Sequence, residues 1–185
     1  MSATAELVQE HEVIQRMLAV IQAAQRQVAG GGKLPAGFIS AVVDFIRNFA
    51  DRCHHGKEED NLFPAMEKRG IPRQGGPIGV MLAEHDQGRA YVKKMDEAGK
   101  RLADGDQSAL QDALANALGY VELLTQHIDK ENNILYPLAD QVLTAEDQRN
   151  LVSRFAQVER ERIGAGGHEA YLKMVDRLEL EVGIR

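Results

Sequence analysis

Two short stretches of this 185-residue chain read almost the same way. The first runs His54, His55, Gly56, Lys57, Glu58, Glu59, Asp60, Asn61, Leu62, Phe63, Pro64, and the second His127, Ile128, Asp129, Lys130, Glu131, Asn132, Asn133, Ile134, Leu135, Tyr136, Pro137. Each sets a glutamate four residues after a histidine and closes on Leu-aromatic-Pro. Positions i and i+4 share one face of a helix, so each stretch aims an imidazole and a carboxylate at one point. One copy would be weak evidence. Two copies with matching tails point to a metal site assembled from two halves, and the fold must bring those halves face to face.

The hydrophobic spacing supplies such a fold. Leu7, Ile14, Leu18 and Ile21 recur at helical intervals between about Thr4 and Ala29, with His11 on the same stripe, and Gly30-Gly31-Gly32 ends that helix. A second helix is predicted from about Pro35 to Arg69, with Pro64 kinking or loosening its last turn. The breakers between Gly70 and Pro77 lead into a third helix to about Asp104, carrying His85 and Gly88 on its apolar stripe. Asp106 is a candidate N-cap for a fourth helix reaching about Pro137–Leu138. The reading is all-α, an up-down-up-down four-helix bundle over residues 1–140. Thr144-Ala-Glu-Asp147 resembles a capping box for a fifth helix, and a glycine hinge precedes a sixth beginning near His168. These two additional C-terminal helices form an extension, residues 141–185, expected to pack on the bundle or on a partner subunit.

The twin stretches have matching upstream partners. His11 lies in Glu10-His11-Glu12 and His85 in Glu84-His85-Asp86; 43 residues separate His11 from His54 and 42 separate His85 from His127. Helices one and two form one αα-hairpin and helices three and four a second, related by an approximate two-fold. Four inward histidines with two glutamates at i+4 are hard to explain as ordinary core residues, because each buried carboxylate would cost several kcal/mol without a cation. The candidate ligands are His11, His54, Glu58, His85, His127 and Glu131. His55 has Glu59 at i+4 as well, but it shares a polar face with Asp51 and Arg52, which reads as solvated; His54 is taken as inward and His55 as a surface residue, with a supporting place behind the ligands as the alternative. His168 is a possible additional ligand. Cys53 reads as a small core residue, and Tyr91, Tyr120 and Tyr136 chiefly as packing residues, with hydrogen bonds donated to the ligand residues as the alternative.

Imidazole and carboxylate donors suit iron, manganese or zinc, and the single cysteine argues against an iron–sulfur cluster. That cysteine, the absence of a leader pattern and the lack of a long apolar run point to a cytoplasmic chain with no membrane partner. A net charge of -6 and 5% aromatic residues argue against nucleic acid. No nucleophile triad or phosphate loop is present.

Together, His11, His54-x3-Glu58 with Leu62-Phe63-Pro64, His85, and His127-x3-Glu131 with Leu135-Tyr136-Pro137 resemble the hemerythrin-like, or HHE cation-binding, domain family over roughly residues 5–140. The resemblance implies a non-haem di-iron centre with an oxo or hydroxo bridge. One iron would take His11 and His54, the other His85 and His127, with Glu58 and Glu131 bridging. Oxygen-carrying members have a fifth histidine from a longer third-helix motif, whereas here His85 is followed at i+4 by Arg89. Four histidines leave a sixth position open on each iron, more like members linked to nitric oxide, peroxide or iron-centre repair, and to iron sensing. The expected function is binding or reduction of a small oxidant (O2, NO or peroxide). The alternatives are a non-catalytic iron- or oxygen-sensing module and a structural protein with incidental zinc. Whether the chain is an enzyme stays open, and a homodimer through the C-terminal helices is a further expectation. Gly88, standing where the first hairpin has Ile14, is a candidate channel to the second iron.

Overall fold

The computed structural model describes residues 2–185. Among them every regular element is a helix. Helix α1 is Ala3–Ala29, opened by the Ser2 side chain accepting from the Ala5 N–H and closed at Gly30. Helix α2 spans residues 38–68 and runs through Phe38–Phe45, Ile46–His55, Glu58–Leu62 and Phe63–Lys68. It starts three residues later than the sequence predicts, because Gly37 takes φ 72° and turns the chain into the helix. Helix α3 is Pro77–Ala103. Helix α4 spans residues 109–142 through Ala109–Lys130, Glu131–Leu135 and Tyr136–Val142, running past the predicted end. Asp106 accepts from the Ser108 N–H and Oγ in the turn before α4, so it organises the approach to the helix rather than its first turn.

Helices α2 and α4 are not uniform. Ile46–His55, Glu58–Leu62 and Glu131–Leu135 are wound with π-helical, i→i+5 hydrogen bonds. The Phe63 N–H donates to the Glu58 carbonyl and the Tyr136 N–H to the Glu131 carbonyl. Pro64 and Pro137 explain why. A proline inside a helix has no N–H to donate, and its ring clashes with the carbonyl four residues back. An extra residue in the turn relieves both problems, so the Leu-aromatic-Pro tails place one widened turn at each glutamate.

The four long helices pack in a ring, α1 against α4, α4 against α3, α3 against α2. Their apolar residues form two clusters. The larger contains Ile14, Leu18, Val42, Phe45, Phe49, Val92, Met95, Val121 and Leu124; the smaller contains Leu7, Leu62, Phe63, Met66, Met81, Leu135 and Tyr136. On each helix the candidate ligands lie between these clusters, so a polar layer is closed off by apolar packing above and below. Helix α5 (Ala145–Arg162) begins with the predicted capping box, Thr144 and Asp147 bonding each other's backbone. Helix α6 (Gly167–Glu181) follows two glycines with positive φ, Gly164 and Gly166. Both helices pack against α1 and α2. Phe155 of α5 extends the smaller cluster, and Val175 and Leu178 of α6 the larger. None of the helices is long and apolar enough to cross a membrane.

Candidate metal centre

His11, His54, His85 and His127, one from each bundle helix, are brought together with Glu58 and Glu131, and all six are at most 1% exposed. The two carboxylates each reach both halves. Glu58 Oε2 lies 3.8 Å from His54 Nε2 and 3.6 Å from His85 Nε2. Glu131 lies 3.1 Å from His11 Nε2 through Oε2 and 3.2 Å from His127 Nε2 through Oε1. None of these contacts has hydrogen-bond geometry, and Glu58 Oε2 and both Glu131 oxygens are buried without a partner.

Each imidazole is turned inward by a group behind it. His54 Nδ1 meets Glu10 at 2.9 Å and His127 Nδ1 meets Glu84 at 2.9 Å. His85 Nδ1 meets Glu59 at 2.7 Å and His11 Nδ1 meets Asn132 at 2.8 Å. An Nδ1–H donated outward leaves the Nε2 lone pair facing the centre, the tautomer a metal requires. The wiring is crossed and two-fold. The glutamate before the histidine of one helix holds the histidine of its hairpin partner, and the residue after each bridging glutamate holds the histidine on a third helix. Behind Glu10 stands Lys57, fully buried, 2.5 Å from Glu10 and 2.8 Å from Glu6. Lys130 bonds Glu84 in the same way.

Electrostatics show what the protein alone leaves unresolved. His85 Nε2 and His127 Nε2 face each other at 3.1 Å, two lone pairs that need a proton or a cation between them. Burial works against a proton on His127, but Glu131 and Glu84 outweigh it and raise its pKa. Burial and the neighbouring Glu131 push Glu58 well above the carboxylate range, whereas His127 and His11 overcome burial and hold Glu131 well below it. The donor set of imidazole nitrogens and orphaned carboxylate oxygens, gathered within 4.8 Å in overlapping groups, fits metal ions of borderline hardness.

Three expectations need correcting. His55 is no surface residue: it is 3% exposed, its ring stacks on His85 with centroids 3.8 Å apart, and it groups with His85 and His127. The π-helical stretch Ile46–His55 is the reason, since more than four residues per turn carry His55 inward beside His54. Tyr136 does more than pack: its hydroxyl donates to Glu58 Oε1 at 2.8 Å, and its ring lies parallel to that of His11. His168 stands apart from the six, edge-on to Phe49 at 5.2 Å and near Glu10 and Glu159. Lys57 and Lys130 were legible but overlooked as a pair, each three residues after its histidine. Gly88 lines a cavity of about 130 Å³ that reaches His55 and His85 past Asp51, Arg89 and Tyr120.

Comparison with known families agrees with this geometry. The hemerythrin HHE cation binding domain matches residues 2–139. The chain belongs to that family. The family is one of cation-binding domains, and this helical bundle carries buried His–Glu clusters. Uncharacterized protein Rv1995 of Mycobacterium tuberculosis is 25% identical over 183 residues, covering 99% of this chain and 71% of that one. The iron-sulfur cluster repair protein YtfE of Salmonella typhimurium is 37% identical over 89 residues, 46% of this chain and 40% of YtfE. No solved structure matches the chain.

Proposed function

We propose that this chain carries a non-haem di-iron centre and uses it to bind or reduce a small oxidant such as O2, NO or peroxide. The observation that carries the reading is the span of the two carboxylates: Glu58 joins the His54 and His85 sides, and Glu131 joins the His11 and His127 sides. Such a set would hold two metals, with His11 and His54 at one and His85 and His127 at the other. When bound, a pair of irons supplies reversible electron transfer and an attachment point for a small diatomic or peroxide ligand. The similarity to YtfE favours iron over manganese or zinc.

The protein's own part is positioning and proton supply. Glu10, Glu84, Glu59 and Asn132 fix the four rings. The apolar clusters on either side exclude water, which strengthens the electrostatics inside. Tyr136 holds a proton on Oη beside Glu58 and 3.3 Å from His11 Nε2, the one hydroxyl placed to donate to a ligand there. The cavity along Gly88 reaches from the surface to His55 and His85.

A specific contact favours a second reading, iron or oxygen sensing. Lys57, which holds Glu10 behind His54, also lies 3.7 Å from Glu159 on α5. A change at the centre thereby has a path to the C-terminal helices.

Reconstitution with ferrous iron, elemental analysis, and optical spectra before and after exposure to O2, NO and peroxide test the proposal. Two irons per chain and consumption of one oxidant over repeated cycles are expected. Two irons with a reversible band and no turnover leave the sensing reading; a colourless protein with no iron sinks both.

A further inference from the structure

The two metal positions are not equally supplied with imidazoles. His11 and His54 face one; His85, His127 and also His55 face the other. His55 repeats the wiring of the four histidines around it. Its Nδ1 lies 3.3 Å from Asp51 Oδ1, and its Nε2 is buried with no partner in the protein. Arg89 bonds both Asp51, at 2.9 Å, and Glu59, at 2.7 Å, so one guanidinium sets the carboxylates behind His55 and His85 together. Packing does not demand a histidine here. The corresponding residue of the second hairpin, one past His127, is Ile128, which is buried in the larger apolar cluster.

A buried imidazole nitrogen without a partner loses its hydration and regains nothing. His55, held by a carboxylate on one nitrogen and pointing the other into a histidine cluster, has the form of a metal ligand with its supporting group. We propose that His55 is a third imidazole ligand at the His85–His127 position, so that the centre takes three histidines on one side and two on the other. This rests on the metal-pair reading above and changes what that pair can do. Three imidazoles and two shared carboxylates would supply more donors to a metal beside His55 than its neighbour would receive. Room for a small ligand would then lie at the His11–His54 position, where Tyr136 presents its hydroxyl; the matching ring at the other position is Phe63, which has none. The cavity along Gly88 ends on His55 and His85, so its inner end is closed by a ligand rather than opening onto a free metal site.

Zinc-loaded wild-type protein, being diamagnetic, allows long-range proton–nitrogen correlation spectra of the histidine rings. Five rings with metal-bound Nε2 are expected, His55 among them. Four bound rings and a free His55 overturn the assignment and leave the metal pair intact. His55→Phe keeps a ring against His85 and removes both nitrogens. With iron-57, this variant is expected to change one of the two Mössbauer doublets and to release one iron to a chelator about tenfold faster or more. Doublets and release rates identical to wild type overturn the proposal. A wild-type chain that takes up no metal pair overturns the di-iron reading and this inference together.

Discussion

The first hairpin, α1 and α2, and the second, α3 and α4, are built on one plan, and their differences carry most of what is particular to this protein. The plan comprises an Nδ1-holding glutamate, a lysine behind it, a bridging glutamate, and a proline-widened turn. Where the halves depart, they do so in concert. Around His85 stand Asp51, His55, Glu59, Arg89 and Phe63. At the matching places around His11 stand Leu124, Ile128, Asn132, Gln15 and Tyr136. One position is thus supplied with charge and an extra imidazole, the other with apolar or neutral groups and a single hydroxyl. A doubled motif creates a bridged site, and departures from the doubling make its two ends chemically different. The C-terminal helices deepen the contrast, since α5 and α6 pack chiefly on the first hairpin, with Gln148 of α5 also bonding Asp140 of α4.

The largest way to break the comparison is through the lysines. Lys57 is 0% exposed and Lys130 33% exposed, though they occupy equivalent places. Removing Lys57 leaves Glu10 buried without its cation, so Lys57→Met is expected to cost about 3–5 kcal/mol in urea unfolding. For Lys130→Met the loss is expected to stay below about 1 kcal/mol. Equal losses would mean that the tail helices, which seal Lys57, do not set its environment.

Exchanging the aromatic rings probes the two ends directly. Tyr136→Phe removes the donor to Glu58 and is expected to destabilise the metal-free protein by about 1–2 kcal/mol. It also makes the two positions alike in their aromatic neighbour. If the variant unfolds at the wild-type denaturant concentration and reacts with oxidant at the wild-type rate, the hydroxyl has no part in either process.

The packing of α6 on the first hairpin is expected to depend on pH. Arg16 of α1 grips Glu179 at 2.8 and 2.7 Å and Asp176 at 2.6 Å, holding both carboxyls below their ordinary pKa. A carboxyl whose folded pKa is lowered adds stability at neutral pH and loses it as pH falls through the folded value. Below about pH 4, α6 is therefore expected to loosen first. Amide exchange followed across that range checks this; exchange in α3 rising before that in α6 would contradict it.

The smallest effect is expected at Gly88, opposite Ile14 in the repeat. A Cβ there would lie 3.5 Å from Tyr120, 3.7 Å from Leu124 and 3.8 Å from Leu123, ordinary contacts. Gly88→Ala should hold or raise the melting temperature, with up to about 1 kcal/mol of helix propensity gained, and leave entry of azide or NO unchanged, because the cavity ends on His55. Slowed entry would make the cavity the ligand's route and count against His55 as the group that closes it.

Much of this was legible in the chain itself. Helical periodicity, glycine breaks and the Thr144–Asp147 capping box marked the helices within a few residues, because those signals are local. The repeat placed His11, His54, Glu58, His85, His127 and Glu131 on inward stripes, because each carries one clear reading on an ideal helix. His55 escaped because the helical wheel assumes 3.6 residues per turn, and Ile46–His55 does not have it. Tyr136 and the crossed pairing of Glu10 with His54 and Glu84 with His127 escaped because sequence spacing says nothing about contacts between helices.

The sequence by itself therefore determined the number of helices, the doubling, and the kind of donor each half brings, since these follow from periodicity and residue chemistry. Only the tertiary structure decided which donors share a metal position. The two carboxylates reach both hairpins because α1 to α4 close into a ring, and the His55 ring lies against His85 because a widened turn rotates it there.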